Sequence, residues 1–140
     1  MARRTRSDDR GQATVEFALA IMVFVALLMG IFDLGRGVYT FNAVAEAARE
    51  IARVTSVHPG ATLGTSSETL AVIATQKQSV PGLGDPTFAC VDIDGSSITD
   101  PCKAKMWVKV RIAATYRPAT PLVGLAGPIS LASSSSVQLP

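Results

Sequence analysis

The chain begins with a short hydrophilic stretch and then enters a long apolar segment. From Phe17 to Phe32 no side chain carries a charge, an amide or a hydroxyl group. Together with Ala13 to Val15, this segment approaches the roughly 20 residues that a helix needs to cross a bilayer. One carboxylate, Glu16, lies inside its amino-terminal edge. Since an isolated carboxylate is costly in hydrocarbon, the pattern predicts a membrane-spanning helix in which Glu16 has a function.

Beyond the span, apolar residues recur every three or four positions, which is typical of one face of an amphipathic helix. The stripe consists of Leu34, Val38, Phe41, Ala45, Ala48 and Ala52, widened by Val44, Ala47, Ile51 and Val54. We therefore expect one helix from Gln12 to Val54, on the order of 65 Å long, whose outer half faces the core of a small head. Three glycines near the membrane exit make a bend or local melting plausible there. Asp33, beside Arg36, is interpreted as an interfacial carboxylate without a special role.

The remaining sequence predicts a small α+β head with a short helix and an antiparallel sheet. His58-Pro59-Gly60 ends the long helix, and a capping box from Thr65 to Glu68 starts a second one that ends before Pro81. Strands are expected from Thr87 to a turn at Asp94-Gly95, from Lys103 to Tyr116 and, more weakly, from Ile129 to Leu139. The predicted segments are a leader (1–11), a transmembrane half-helix (12–32), an amphipathic half-helix (33–57) and the head (58–140).

Charge and cysteine content indicate the topology. Four of the thirteen basic residues precede the apolar run, which by the positive-inside rule places the amino terminus in the cytoplasm and the head outside. The two cysteines then lie in an oxidising compartment, where pairing is the default. A Cys90–Cys102 disulfide would close the turn between two strands and stabilise the head by about 3 kcal/mol.

Several function classes lack the residues they need. The net charge of +2 and the scattered basic residues do not favour nucleic-acid binding. A single histidine, His58, excludes a zinc site with several histidine ligands, and neither a G-x-S-x-G motif nor a cysteine–histidine pair is evident. We therefore expect no enzyme activity and no cofactor. Asp92, Asp94 and Asp100 hint at a calcium loop, but two further requirements of that motif are missing, so a hairpin turn is favoured and calcium binding is left open.

The amino-terminal motif resembles that of a known family. A basic leader ending in Gly11, four residues and then Glu16-Phe17 is similar to the type IV prepilin signature in its short-leader form. The string from Arg10 to Ala20, followed by Gly30-Ile-Phe-Asp-Leu-Gly-Arg36 and the segment from Asn42 to Arg53, resembles the TadE-like pseudopilins of the tight-adherence (Tad, or Flp) pilus systems. The resemblance covers Arg10 to Val54.

This resemblance implies a function and a set of partners. A prepilin peptidase would cleave between Gly11 and Gln12, so that Glu16 becomes the fifth mature residue and faces the free amine of a neighbouring subunit. The chain would be a minor pilin or pseudopilin in the cytoplasmic membrane, with incorporation into a surface pilus left open. Its partners would be the peptidase, other pilin and pseudopilin subunits, the membrane platform of the machine and the lipid bilayer.

Other interpretations of the same residues remain. The apolar run fits an ordinary signal peptide, although Arg36 makes a poor small-x-small cleavage site after it. Glu16 could simply extend to the cytoplasmic interface. The chain could also be a membrane-anchored binding or adhesion domain that never polymerises, or a secreted enzyme.

Overall fold

One long helix dominates the structure. The computed structural model describes residues 8–98, 102–120, 124–125 and 127–140, with side chains from residue 11 onward. Helix α1 spans Asp8–Val57, so the predicted continuous helix is confirmed and extends a few residues further at both ends. It passes through Gly30, Gly35 and Gly37 without interruption, and the local melting considered for this region is not seen.

A short second helix precedes the sheet. Helix α2 spans Ser67–Ser79, and its N-cap is Ser66 rather than the predicted Thr65. The Ser66 hydroxyl oxygen accepts a hydrogen bond from the Thr69 backbone N–H at 3.2 Å, which satisfies one of the free donors at the helix start. Thr65 instead donates its hydroxyl to the Thr62 carbonyl, because the loop turns back on itself at this point.

Four antiparallel strands form one sheet in the order β2-β1-β3-β4. Their bounds are β1 Thr87–Val91, β2 Ser97–Ile98, β3 Trp107–Tyr116 and β4 Ile129–Gln138. Strands β3 and β4 pair over ten residues, from Trp107 with Gln138 to Tyr116 with Ile129. Strand β3 starts four residues later than predicted, because Lys103 to Met106 form a turn in which Lys105 has a φ of 71°. The short β2 was not predicted.

The sheet packs one face against the outer half of α1, which confirms the α+β class. Alternate residues of β3 (Val108, Val110, Ile112 and Ala114) are buried, and they meet Val44, Ala48, Ile51 and Ala52 of the helix in a single core. The period of two in the strand and of about 3.6 in the helix place these residues on facing surfaces. On β4, the serines at 133 and 135 are half-buried beside Ile112 and Val110.

The first three residues of the predicted stripe do not join this core. Leu34, Val38 and Phe41 are 70, 61 and 47% exposed. The side of α1 that meets the sheet at this level carries Gly37 instead, where an added Cβ would lie 3.8 Å from the Tyr116 ring. The expectation that the outer half of the stripe faces the core is confirmed, whereas its membrane-proximal residues stay outside the core.

Candidate functional site

The predicted processing and assembly residues all lie at the amino-terminal end of α1. Gly11, Gln12, Glu16 and Phe17 are exposed. Gly11 is the fourth residue of the helix and has helical backbone, since α1 begins before the predicted start at Gln12. Because glycine is among the weakest helix formers and helix ends fray, this is a position where the helix is easily unwound.

The apolar span that follows is exposed in the single chain. Of the described residues, the stretch Gly11–Val57 is the one helix long and apolar enough to cross a membrane, and its most apolar 18-residue window has none of its residues buried. Val23, Leu27 and Leu34 lie on the same side of α1 as Glu16, since Leu34 follows Glu16 by about five turns of 3.6 residues. One face of the helix therefore combines a lone carboxylate with a continuous apolar surface.

The junction between span and head is made by Asp33, which is only 2% exposed. Its carboxylate accepts hydrogen bonds from the backbone N–H groups of Ala119 (3.0 Å) and Thr120 (2.9 Å), and also from the Thr120 hydroxyl. The Tyr116 hydroxyl donates to the Asp33 carbonyl oxygen at 2.9 Å. Asp33 thus fastens the end of β3 and the following loop to the helix where it leaves the apolar span.

The interpretation of Asp33 as an interfacial residue without a special role is therefore wrong. A signal was present in the sequence, because Asp33 is the only acidic residue between Glu16 and Glu46 and directly follows the apolar run. The sequence could not indicate its partners, since the residues that bind it lie more than eighty positions further along the chain.

The two cysteines lie together in the head. Cys90 of β1 and Cys102, which precedes β3, are joined by a disulfide with a Cα–Cα distance of 5.5 Å. This distance is near the centre of the range for such bonds. The disulfide links the middle of the sheet to the turn that begins β3.

The acidic turn after β1 has the geometry of a hairpin. The Gly95 N–H donates to the Asp92 carbonyl at 2.9 Å, and Gly95 has a φ of 85°. Hydrogen bonds from the Ser96 hydroxyl and backbone N–H hold the pKa of Asp94 below its ordinary value of 3.8. Among the described residues, no group of three His, Cys, Asp or Glu side chains is placed to hold a metal ion, and Asp100 lies outside them.

Comparison with known proteins supports the resemblance in one part of the chain. The family model for TadE-like protein matches residues 11–53, which make up nearly all of the described α1. No curated protein and no solved structure matches the chain. The matched family consists of structural components of pili and not of known enzymes. The match covers 43 of the 140 residues, so it is the amino-terminal part of the chain, with its exposed apolar helix, that is similar to TadE-like proteins.

Proposed function

We propose that this chain is a membrane-anchored minor pilin or pseudopilin that is cleaved after Gly11 and joins a Tad/Flp-type assembly through its amino-terminal helix. The observation that carries the proposal is the division of α1 into two halves. The outer half packs beneath the head, whereas the inner half is apolar and exposed. An apolar helix that leaves the bilayer must be buried against other such helices, because so large an apolar surface is not stable in water.

Processing at Gly11 is the first step of this proposal. A prepilin peptidase in the cytoplasmic membrane would remove the basic leader and leave Gln12 as the mature amino terminus. The position supports such a cut, because Gly11 lies near the start of α1, directly before the apolar run, and no other part of the described structure comes within 4 Å of a Cβ placed there.

Intact-mass measurement of membrane-extracted protein tests the cleavage. We expect loss of Met1 to Gly11 from the wild-type chain and an uncleaved precursor from Gly11→Leu. Gly30→Leu is the matched control, since Gly30 is also helical and has open space around it. It should mature normally. A mature start near Val38 would instead indicate signal peptidase, and an intact leader would indicate a simple anchor.

Glu16 is the residue proposed to align subunits during assembly. Its carboxylate would pair with the free amine at Gln12 of a neighbouring subunit, while Phe17 and the apolar face behind it contact that subunit's helix. Losing one partner of a desolvated charge pair costs on the order of 3–5 kcal/mol, against less than about 1 kcal/mol for a pair at the surface. Assembly should therefore depend strongly on the charge of Glu16.

The test compares Glu16→Gln with Glu46→Gln in a strain that lacks the native copy. Glu46 is also a carboxylate on α1, but it is exposed and paired with Arg49 on the outer half. We expect both variants to insert, mature and fold, and only Glu16→Gln to be depleted from sheared filaments. Equal incorporation of the two variants would show that Glu16 has no assembly role. It would favour the alternative of a membrane-anchored binding domain that does not polymerise.

A further inference from the structure

The spacing of charged residues along α1 places Asp33 inside the hydrocarbon core, about one helical turn before the helix leaves the bilayer on the side of the head. Glu16 and Arg36 are twenty residues apart, which corresponds to about 30 Å of helix. This equals the typical thickness of the hydrocarbon core. Asp33 lies between the two, about one helical turn before Arg36. A carboxylate at that depth needs protein partners, and the head supplies three hydrogen-bond donors to its side chain.

An apolar groove opens at the same level of the helix. We call it the exit groove; it measures about 280 Å³ and lies between α1 and the first residues of β4. Its lining is almost wholly apolar and includes Leu34, Val38, Phe41, Ile129 and Leu131. The three helix residues are largely exposed, although they lie just outside the predicted span. The groove continues the apolar face of the span along the flank of the head.

The opposite flank of α1 carries positive charge at this height. Arg36 lies about 200° around the helix from Leu34. It lines a hollow of about 540 Å³ together with Thr40 and Arg117. The arginine guanidinium binds phosphate groups well. Because the side chain has a long apolar stem, an arginine whose stem is buried in apolar surroundings can still extend its charged group to the phosphates. Tyr39, which is exposed on the same side, is a residue typical of membrane interfaces.

Residues 119 and 120, which follow β3, lie at the same level of the helix, because their backbone N–H groups donate to Asp33. Further along the chain, Leu125 is 87% exposed. In the sequence around it, residues 121 to 129 include no charged, amide or hydroxyl side chain. An exposed leucine in so apolar a stretch is poorly suited to water but well suited to a lipid surface.

We propose that the base of the head is seated in the outer leaflet of the bilayer. The exit groove and Leu125 contact acyl chains, and Arg36 and Arg117 lie at the level of the lipid phosphates. A phospholipid bilayer is the partner that fits, because apolar and cationic surfaces encircle the helix at one height and the apolar one continues into the span. The proposal requires that α1 crosses a membrane, but it depends on neither cleavage at Gly11 nor filament assembly.

Trp107, the single tryptophan of the chain, provides an internal control for the test. It pairs with Gln138, whereas Ile129 pairs with Tyr116 at the opposite end of the sheet. The two positions are about 30 Å apart along the strands. The full chain is reconstituted at low density in phosphatidylglycerol-containing vesicles whose acyl chains are brominated near the headgroup. The reporters are Ile129→Trp and Leu125→Trp, each in a Trp107→Phe background, and wild-type Trp107 is the distal control.

We expect bromolipid to quench both base reporters strongly and to leave the emission of Trp107 unchanged. Leu125→Trp guards against misfolding, since this side chain is exposed and its replacement disturbs no packing among the described residues. If neither base reporter were quenched beyond the level of Trp107, the head would stand clear of the bilayer and the proposal would be overturned. Accessibility of the base reporters to an aqueous quencher is measured at low and at high protein density. If the reporters were shielded from it only at high density and were not quenched by bromolipid, the proposal would also be overturned, and the groove would be assigned to a second copy of the chain.

Discussion

Reduction of the Cys90–Cys102 disulfide should destabilise the head by an amount that follows from the length of the loop it closes. The two cysteines are separated by 12 positions. On the chain-entropy model, a loop of this length corresponds to about 3 kcal/mol at 25 °C. In a domain of the size of this head, each kcal/mol shifts Tm by about 4–8 °C. We therefore expect Tm to fall by about 12–24 °C when the bond is reduced.

The assay is thermal unfolding of the full chain in detergent micelles, followed by the fluorescence of Trp107 with and without dithiothreitol. Trp107 is a suitable reporter because it pairs with Val91, the neighbour of Cys90 in β1. The control is the double variant Cys90→Ala with Cys102→Ala, whose Tm should be low and insensitive to the reductant. An equal Tm for the oxidised and reduced wild-type chains would refute the loop-entropy argument. Free thiols in protein freshly isolated from cells would contradict both the bond and an exported head.

Three further predictions concern single side chains. Gly82→Ala should lower the free energy of unfolding by about 1–3 kcal/mol, because Gly82 has a φ of 76° and an added Cβ would lie 2.7 Å from a carbonyl oxygen of β3. Gly95→Ala should lower the free energy of unfolding by less, because Gly95 has a similar φ but open space around it. Urea titration of both variants and the wild-type chain measures the difference. Asp33→Ala should speed amide hydrogen exchange of the backbone N–H groups at 119 and 120, which lose their acceptor; unchanged protection would contradict the role of Asp33 in fastening the loop. The hydrogen bond and charge of Arg53 hold the pKa of Glu50 below its ordinary value of 4.5, so this pair contributes stability above that pH and loses it as the pH falls further. Because the pair is exposed, Glu50→Gln should shift Tm at pH 7 by less than about 4 °C, and a larger shift would show that the pair is more than a surface contact.

Local chemistry was sufficient to predict both helices and three of the four strands. The span follows from the missing polar side chains between Phe17 and Phe32, and α1 from apolar spacings that match a period of 3.6 residues. Strand β3 follows from its strict alternation, with Val108, Val110 and Ile112 on the buried face. The candidate processing and assembly residues were also inferred from sequence, because Gly11 and Glu16 are singled out by their positions relative to the adjacent apolar run. In each case the deciding pattern lies within a few turns of the residue concerned.

Contacts between distant segments decided the rest. The sequence shows Asp33 as a lone carboxylate, but only the folded chain brings residues 119 and 120 to it and turns it into the buried junction of span and head. By periodicity, Leu34 and Val44 both belong to the apolar stripe of α1. The sheet covers Val44 but leaves Leu34 exposed, because it packs on one side of the helix and Leu34 lies on the flank. Strand β4 looked weak because of its serines, and its ten pairs with β3 compensate for what its own residues lack. A local pattern can define which residues share a face, but what covers that face depends on where the rest of the chain is placed.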